Sequence, residues 1–436
     1  MSAPGQMPVI VGVAQVVQRP GEVALEEARG PIELMVDAAR LAERDAGASS
    51  LLTRADFVGV AGGWFRYQNP GQLIAAEVGC PDAATALTAI SGTAPQDLVG
   101  LASERIAAGT LDVAIIVGGE ARWSHQRLSR SGVPLPWIVD PGTGTPESLS
   151  GFPDHVRTEH EVFGGAPAAY AVFEDRVRTT LGETLEAHRT RIADLWADFS
   201  KVAADNPHAW DRTPHTPEAI REPSSENRMI AFPYTKAMVA NNTVDMATAL
   251  ILCTVDAAIA AGVARDRMVF PLVVTSGHET WLLSERRELD GSPALTAAAH
   301  AAFLHAGLGV DDVDHIDLYA CFPSIVEMSV GSARSRPRPT ADRHRRPRLR
   351  RRARRQRGGP FDRSDGRPGT KRWDRTRARQ RWPGHQTLLR ALRDLSPGDV
   401  CPHRRTADRR PAPARQPRPG VRGAGRGRSG HAGPRP

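Results

Sequence analysis

The sequence predicts an α/β protein with a parallel sheet, and three observations lead to that fold class. The short apolar run Val9–Ala14 is typical of a buried strand. Residues Pro31–Ala46 form an amphipathic pattern that opens with Pro, which predicts a helix. Finally, a strand (Thr85–Ile90), a helix (Pro95–Ala108) and a second strand (Asp112–Val117) follow one another. A strand–helix–strand unit of this kind requires parallel pairing of its two strands.

The other elements follow from the same periodicities. Residues 121–228 are rich in Pro, Trp, His and charge, and we interpret them as an inserted cap. The remaining predicted elements are, in order, the strand Phe57–Ala61, the helix Gly71–Val78, a long helical stretch near Phe173–Ala204, a sheet region from Met229, the helix Val244–Ala261, the strand Met268–Ser276, the helix Pro293–Ala306 and the strand His315–Ala320.

The charge is divided unevenly along the chain. From Gly331 onward there are 32 Arg, one Lys, seven Asp and no Glu, a net charge of +26. The whole chain carries +8, so residues 1–330 carry −18. The sequence therefore combines an acidic globular part with a basic, low-complexity tail that is expected to be disordered.

The cysteine pattern and hydropathy exclude several classes of protein. Cys80, Cys253, Cys321 and Cys401 have no CxxC spacing, so neither a disulfide framework nor a zinc site is indicated. No apolar stretch approaches the ~20 residues of a membrane span, and no targeting segment is evident. We expect a cytoplasmic protein without a metal or redox cofactor.

Three segments resemble the thiolase superfamily. Thr88–Glu120 (TAISGTAPQDLVGLASERIAAGTLDVAIIVGGE) is similar to the nucleophile block of thiolases. Phe232–Cys253 (FPYTKAMVANNTVDMATALILC) and Asp317–Ser324 (DLYACFPS) resemble thiolase-like proteins of the sterol-carrier-thiolase type, often described as acetyl-CoA acetyltransferases. The resemblance implies a thiolase fold, with two duplicated α/β halves that each contain a mixed five-stranded sheet. It also implies an N-terminal half at 1–265 with the cap at 121–228, the start of a C-terminal half at 266–330, and a tail at 331–436.

The sequence departs from this family at the position of the nucleophile. Thiolases place a Cys at the turn before the helix of the first block, where the helix dipole lowers its pKa. Here that turn is Gly92–Ala94 and contains no Cys, while Cys80 lies a full strand upstream. The usual Asn-Glu-Ala-Phe loop is replaced by Tyr319–Pro323. We therefore do not expect ordinary ping-pong thiolysis.

The resemblance implies a protein that handles acyl-CoA, with the thioester as substrate. The leading interpretation is an acyltransferase, or a retro-Claisen enzyme, acting on a lipid- or steroid-derived acyl-CoA. The alternative is a non-catalytic acyl-CoA-binding or partner subunit that pairs with a lipid-binding protein or a hydratase. Relatives dimerise through the strand beside the nucleophile turn, here Thr85–Ile90, so a homodimer is expected.

The candidate catalytic residues are Gly92, Thr93, Ala94 and Cys321. Backbone N–H groups near Gly92–Ala94 are suited to an oxyanion hole, because they lie before a helix N-terminus. Thr93 is either a hydroxyl donor to the thioester or, more simply, a helix N-cap. Cys321 is either a surrogate nucleophile or a semi-buried core thiol.

The candidate substrate-binding residues follow predicted strands or lie in the family's polar segments. Several also have a simpler structural explanation: close packing for the glycines, capping of a helix for the asparagines with Asp245, and surface exposure for the histidine. The candidate residues are Gly118, Gly119, Glu120, Asn241, Asn242, His278, Tyr319, Phe322 and Pro323.

The tail suggests a change of reading frame. It lacks Glu, Ile, Asn and Tyr and is dominated by Arg, Pro and Gly, as out-of-frame translation of a GC-rich gene would produce. With a one-nucleotide shift, the codons of His344–Gln356 permit TGGLAFAGGPxxN and those of Arg379–Leu388 permit ANGGxxTKHS. Both strings resemble C-terminal segments of the same family, in the correct order. The other interpretations are a basic arm with salt-sensitive, unspecific affinity for nucleic acid, and a solvated linker.

Sequencing the gene across the codons for Ile325–Gln356 tests the frame hypothesis. We expect a missing or extra nucleotide between the codons for about Ser329 and Arg343, because the thiolase-like pattern stops in that interval. A confirmed reading of the printed sequence would show that the basic tail is a real translation product. Such a chain would lack the histidine that acts as the base in relatives.

Overall fold

The computed structural model describes residues 4–142, 144–149, 159, 161, 162 and 164–334. The reading-frame hypothesis and nearly all of the predicted tail lie outside these residues. The strands are β1 (Pro8–Val17), β2 (Phe57–Val60), β3 (Ala84–Thr88), β4 (Val113–Ala121), β5 (Glu147–Leu149), β6 (Met229–Ala231), β7 (Tyr234–Thr235) and β8 (Asp245–Thr254). The α-helices are α1 (Pro31–Ala46), α2 (Pro70–Val78), α3 (Ala94–Ala107), α4 (Arg122–Ser131), α5 (Ala166–Leu181), α6 (Leu185–Asp205), α7 (Pro217–Arg221), α8 (Val255–Ala260), α9 (Pro293–Ala306) and α10 (Pro323–Arg334).

A six-stranded mixed sheet organises the described residues, in the order β1-β8-β4-β2-β3-β5. Strands β4, β2, β3 and β5 are parallel, whereas β8 runs antiparallel to both of its neighbours. The predicted α/β class and the parallel β3–α3–β4 unit are therefore confirmed. The sheet has six strands rather than five because β5, which comes from the predicted insertion, pairs with Ala86–Thr88 at the edge.

Apolar cores cover both faces of the sheet. On one face, α1 buries Ile32, Leu34 and Met35 completely. On the other face, α3 buries Leu98 and Ile106 against the sheet. The predicted boundaries of α1 are confirmed at both ends, where Pro31 begins the helix and Gly47 ends it in a left-handed conformation.

The predicted helix over Val244–Ala261 is wrong. Asp245–Thr254 is the strand β8, and only Val255–Ala260 is helical. Strand β8 lies between β1 and β4 and is covered by helices, so its apolar residues face cores on both sides. The sequence of such a strand is a nearly continuous apolar run, and its periodicity cannot be distinguished from that of a buried helix. Asp245 therefore begins a strand and does not cap a helix that follows it.

The long helical stretch predicted near Phe173–Ala204 is two helices. Helix α5 ends at Gly182, whose φ of 71° is left-handed. The side chain of Thr184 then caps α6 by accepting a hydrogen bond from the Ala187 N–H. Glycine and an N-capping threonine this close together explain the break.

Two predicted strands, Met268–Ser276 and His315–Ala320, are not strands in the described part of the chain. Only Val269 pairs, through a single bridge to Ile10 with an N–O distance of 2.8 Å. A strand needs a neighbour to satisfy its backbone groups, and the described residues contain no second α/β sheet to supply one. Helix α9 has the predicted bounds, yet it buries none of its residues.

The predicted insertion, residues 121–228, contains α4, α5, α6 and α7. Helix α5 packs against α10, and Tyr170 of α5 stacks on Phe322 with ring centroids 4.3 Å apart. The domain limits at 265 and 330 stay predictions. Among the residues that the structure describes, no helix is both long and apolar enough to cross a membrane.

Replacing Ile251 in β8 with Ala tests the central position of this strand. The Ile251 side chain is fully buried, so we expect Ile251→Ala to lower the free energy of unfolding by about 2–5 kcal/mol. Thr248→Ala, at an exposed position of the same strand, should cost about 1 kcal/mol or less. Urea unfolding followed by circular dichroism measures both, and equal costs would contradict this assignment of β8.

Candidate functional site

A cavity of about 290 Å³ opens where parallel strands end. The parallel strands β2, β3 and β4 end at the same edge of the sheet, which is the usual place for a ligand in an open α/β sheet. The antiparallel strand β8 begins at that edge. The lining residues are Ala61, Gly62, Gly63 and Trp64 after β2, Ile90 after β3, Gly118, Gly119 and Glu120 of β4, and Asn242, Val244 and Met246 at β8.

Four predicted substrate-binding residues line this cavity: Gly118, Gly119, Glu120 and Asn242. Gly119 also has the packing role that was the alternative, because an added Cβ would lie 2.8 Å from the Cβ of Ala247. Gly119 therefore packs closely on β8 and also lines the cavity, and its role in substrate binding stays a prediction.

Glu120 is the ionisable side chain of the cavity. Its carboxylate accepts a hydrogen bond from the backbone N–H of Trp64. Burial raises the pKa of Glu120 above its usual range, although the Trp64 hydrogen bond and the charge of Arg122 act in the opposite direction. A carboxyl group in this condition can exchange a proton closer to neutral pH than an exposed glutamate can.

Aromatic and cationic groups border the cavity beside Glu120. Trp64 is 56% exposed, and the guanidinium of Arg122 lies 4.5 Å from the centroid of its ring. Ile90, 47% exposed, lies on the β3 side. The cavity thus offers apolar and cationic surface next to one carboxyl group.

The predicted turn at Gly92–Ala94 is in contact with the predicted loop at Tyr319. A Cβ added at Gly92 would lie 2.4 Å from Cζ of Tyr319, so the tyrosine ring rests on this glycine. The contact needs a residue without a side chain at position 92. The structure therefore joins two segments that are more than 200 positions apart in the sequence.

The polar groups of this turn are already hydrogen-bonded to one another. The Thr93 N–H donates to Oγ of Ser91 over 3.2 Å, and the Ala94 N–H donates to the Ser91 carbonyl over 3.3 Å. The Thr93 hydroxyl donates to Asp97 over 2.9 Å. Thr93 occupies the N-cap position of α3 but makes no side-chain capping bond. In this conformation, an oxyanion hole built on the N–H groups of Thr93 and Ala94 would require both to change partners.

Cys321 has the surroundings of a core thiol rather than those of an activated nucleophile. It is 7% exposed and packs in a cluster with Tyr234 and Phe322. Burial raises the pKa of its thiol, although hydrogen bonds with Tyr170 and Tyr319 act in the opposite direction. A nucleophilic cysteine needs a lowered pKa.

The remaining predicted site residues lie outside the cavity lining. Phe322 stacks on Tyr170, and Pro323 begins α10. Asn241 is exposed, and its side-chain oxygen accepts from the Thr243 N–H over 3.0 Å. His278 is exposed and stacks on Trp281.

Sequence reasoning did not single out Gly62–Trp64, Ile90, Val244 or Met246, which also line the cavity. A signal for the first segment was present, because Gly62–Trp64 follows a parallel strand just as Gly118–Glu120 ends one. Val244 and Met246 were missed because β8 was predicted to be a helix.

Comparisons with known proteins give structural relatives but no family or curated match. Neither the protein-family models nor the curated proteins contain a match to this chain. The fold is similar to the monomeric SCP2-thiolase-like protein type 1 of Mycobacterium smegmatis, with a TM-score of 0.61 and 31% identity. That match covers 76% of this chain, which spans only 64% of the length of the mycobacterial protein.

Two more distant structures share less with the chain. The Ltp2–ChsH2(DUF35) aldolase has a TM-score of 0.54 and 18% identity, over 76% of this chain and 78% of that one. An acetyl-CoA acetyltransferase from Syntrophomonas wolfei has a TM-score of 0.48 and 17% identity, over 74% and 81% of the two chains. The similarity to the aldolase concerns the fold alone.

Thiol labelling tests whether the chain holds an activated cysteine. Burial raises the pKa of Cys80 to about 11 and that of Cys253 to about 12, and raises that of Cys321 as well. In a Cys401→Ser background we therefore expect Ellman's reagent at pH 7.5 to react far more slowly with the native protein than with the unfolded protein. One native thiol that reacts within seconds would contradict this assignment, and Cys321→Ser would identify it.

Proposed function

We propose that the chain, whose fold is similar to that of an SCP2-thiolase-like protein at 31% identity, is a thiolase-superfamily protein of that type that binds an acyl-CoA thioester and acts on its acyl group without forming a covalent acyl-enzyme. The observation that carries the proposal is the composition of the cavity at the ends of β2 and β4. It contains a carboxyl group with a raised pKa and no thiol. The substrate class that we propose is a lipid- or steroid-derived acyl-CoA.

Two properties of the cavity support binding of a thioester. Its lining is mainly glycine and apolar side chains, which suit an acyl group. Arg122 and Trp64 at its border offer a cation and an aromatic face to the anionic and adenine parts of coenzyme A. A cavity of about 290 Å³ is too small for a whole acyl-CoA, so the proposal assigns it to the reacting end.

The proposed reaction is acyl transfer to free coenzyme A by retro-Claisen cleavage, in which the thiol of coenzyme A attacks the 3-oxo carbonyl of a 3-oxoacyl-CoA directly. The thiol proton passes to Glu120, a C–S bond forms, and the Cα–Cβ bond of a 3-oxoacyl-CoA breaks. The carbanion that leaves takes the proton back from Glu120. Atoms and charge balance, and the enzyme carries no acyl group between steps.

The second candidate function is a non-catalytic acyl-CoA-binding or partner subunit. The observation that favours it is the replacement of the family's cysteine turn by Gly92–Ala94, whose N–H groups at Thr93 and Ala94 bond to Ser91. The aldolase with a similar fold is a complex of two different proteins. We propose a lipid-binding protein or a hydratase as the partner in that case.

The homodimer implied by the resemblance stays a prediction. The predicted dimer contact is strand β3, and within one chain the outer edge of β3 is already paired with β5. The SCP2-thiolase-like protein of M. smegmatis is described as monomeric. A dimer of this chain through β3 would therefore need β5 to leave that edge.

A paired assay of binding and product formation tests the proposed function. We expect the chain to bind a 3-oxoacyl-CoA and, with added coenzyme A, to convert it to two shorter thioesters. Glu120→Gln should lower turnover by about 10²–10⁴-fold, because it removes the proposed base, with little change in Kd. Glu104→Gln, on the exposed side of α3, is the matched control and should leave both quantities unchanged.

The outcomes separate the candidates. Binding without turnover in the wild-type chain would support the non-catalytic role. Turnover that survives Glu120→Gln would refute the assigned base. No binding of any acyl-CoA would refute both candidates, and Ile90→Trp, which adds bulk at the cavity, should weaken whatever binding is found.

A further inference from the structure

A second group of ionisable side chains lies away from the cavity, where α5, α6 and α10 meet. Glu174 of α5 and His188 of α6 are 0% and 1% exposed. The Glu327 side chain of α10 is 11% exposed. Each residue offers one ligand atom, and the three atoms lie within 4.8 Å of one another. Buried groups of this kind need either mutual partners or a ligand.

One polar atom of each of the three side chains contacts a neighbouring residue outside the group. His188 Nδ1 lies 2.6 Å from Oε2 of Glu183. Oε2 of Glu174 accepts a hydrogen bond of 2.7 Å from the hydroxyl of Tyr234. Oε1 of Glu327 accepts one from Arg191. These contacts fix the orientation of all three side chains.

The carboxylate–histidine pair has a specific consequence. Nδ1 of His188 lies 2.6 Å from Oε2 of Glu183 and 3.0 Å from Nη2 of Arg191. In the tautomer whose Nδ1–H donates to Glu183, Nε2 carries a lone pair that a metal ion could bind in place of the contact with Glu174. A carboxylate or carbonyl partner on the far ring nitrogen is the usual arrangement of a metal-bound histidine. Arg191 in turn fixes Glu183 through hydrogen bonds of 2.7 and 3.0 Å.

Hydrogen bonding among the side chains leaves one buried atom without a partner. His188 Nε2 and Glu174 Oε1 are 2.6 Å apart, which is a hydrogen-bond distance. Oε2 of Glu327 is buried and has no hydrogen-bond partner. An isolated buried carboxylate oxygen is costly, and in a native structure it indicates a missing partner.

The charge of the cluster depends on its protons. The cluster contains three carboxyl groups, those of Glu174, Glu183 and Glu327, together with the imidazole of His188 and the guanidinium of Arg191. With all three carboxylates ionised and a neutral histidine, the net charge would be −2, which a single divalent cation would neutralise.

We propose that Glu174, His188 and Glu327 bind one divalent transition-metal ion, for which Zn²⁺ has the matching ligand preference. Imidazole nitrogen and carboxylate oxygen are ordinary zinc ligands at ~2.0–2.2 Å. An imidazole in the set disfavours Mg²⁺ and Ca²⁺, which prefer oxygen ligands alone. The ion replaces the proton between His188 and Glu174 and takes up the unpartnered oxygen of Glu327. Because the site is buried and joins three helices, its role is structural.

Zinc titration of the full chain tests the proposal. After dialysis against a chelator, the protein is titrated with Zn²⁺ against a chromophoric zinc indicator, and its Tm is followed with and without the ion. We expect one tight equivalent and a rise in Tm, because the ion binds only the folded state. Glu327→Gln should weaken that equivalent by at least about tenfold and abolish the rise in Tm. Mg²⁺ should give neither effect.

Two controls keep the result interpretable. Glu186→Gln lies on α6 but its side chain is 66% exposed, so it should behave as wild type. Glu327→Gln keeps an oxygen that can accept from Arg191, and its circular dichroism should match that of the wild type. Zn²⁺ binding that is equal in wild type and Glu327→Gln would place the ion elsewhere, for example on histidines of the tail, and would overturn the proposal. Absence of tight binding in the wild type would overturn it as well.

Discussion

The arrangement of the described residues depends on the pairing of strand β8. It follows β4 only after more than 120 intervening residues, yet it forms antiparallel ladders with both β1 and β4. The chain between β4 and β8, which contains the predicted insertion, is therefore anchored at both ends in the centre of the sheet. At the start of β8, the fully buried carboxylate of Asp245 accepts hydrogen bonds from the N–H groups of Trp123 and Ser124 over 2.8 and 3.2 Å. A carboxylate at this place satisfies free donors in the first turn of α4, so one residue fixes both the strand and the entry to the insertion.

This pairing also determines what chemistry the cavity can support. Strand β8 begins where β4 ends. Asn242 and Val244, which precede β8, and Met246 at its start therefore form one wall of the cavity beside Glu120. At the turn and the loop that resemble thiolase segments, Tyr319 packs on Gly92, and Cys321 is buried in a separate cluster. A site with a carboxyl group of raised pKa and no accessible thiol is suited to proton transfer rather than to covalent catalysis.

The sequence predicted elements well where their local pattern was unambiguous. Helices α1 and α9 have amphipathic or capped sequences with Pro at the start and Gly after the end, and their bounds were predicted correctly. Strand β8 was predicted wrongly because a strand that is buried on both faces does not alternate between apolar and polar residues. Within the cavity, Gly118–Glu120 was found because it ends a predicted strand, and Asn242 through the family resemblance. The cluster of Glu174, His188 and Glu327 has no short motif, because three separate helices supply its members.

The segment between β8 and α10 contains a helix that forms although it buries none of its residues. Helix α9 forms with its caps intact, yet it buries no residue, and Leu304 is 79% exposed. Leu272 in the preceding extended segment is 71% exposed. Local signals were thus sufficient for the helix, whereas the segments predicted as strands on either side of it form, among the described residues, only the single bridge between Val269 and Ile10. An apolar surface of this kind is typical of a face that another element covers. Under the reading-frame hypothesis, the thiolase-like strings permitted beyond residue 343 would encode such an element.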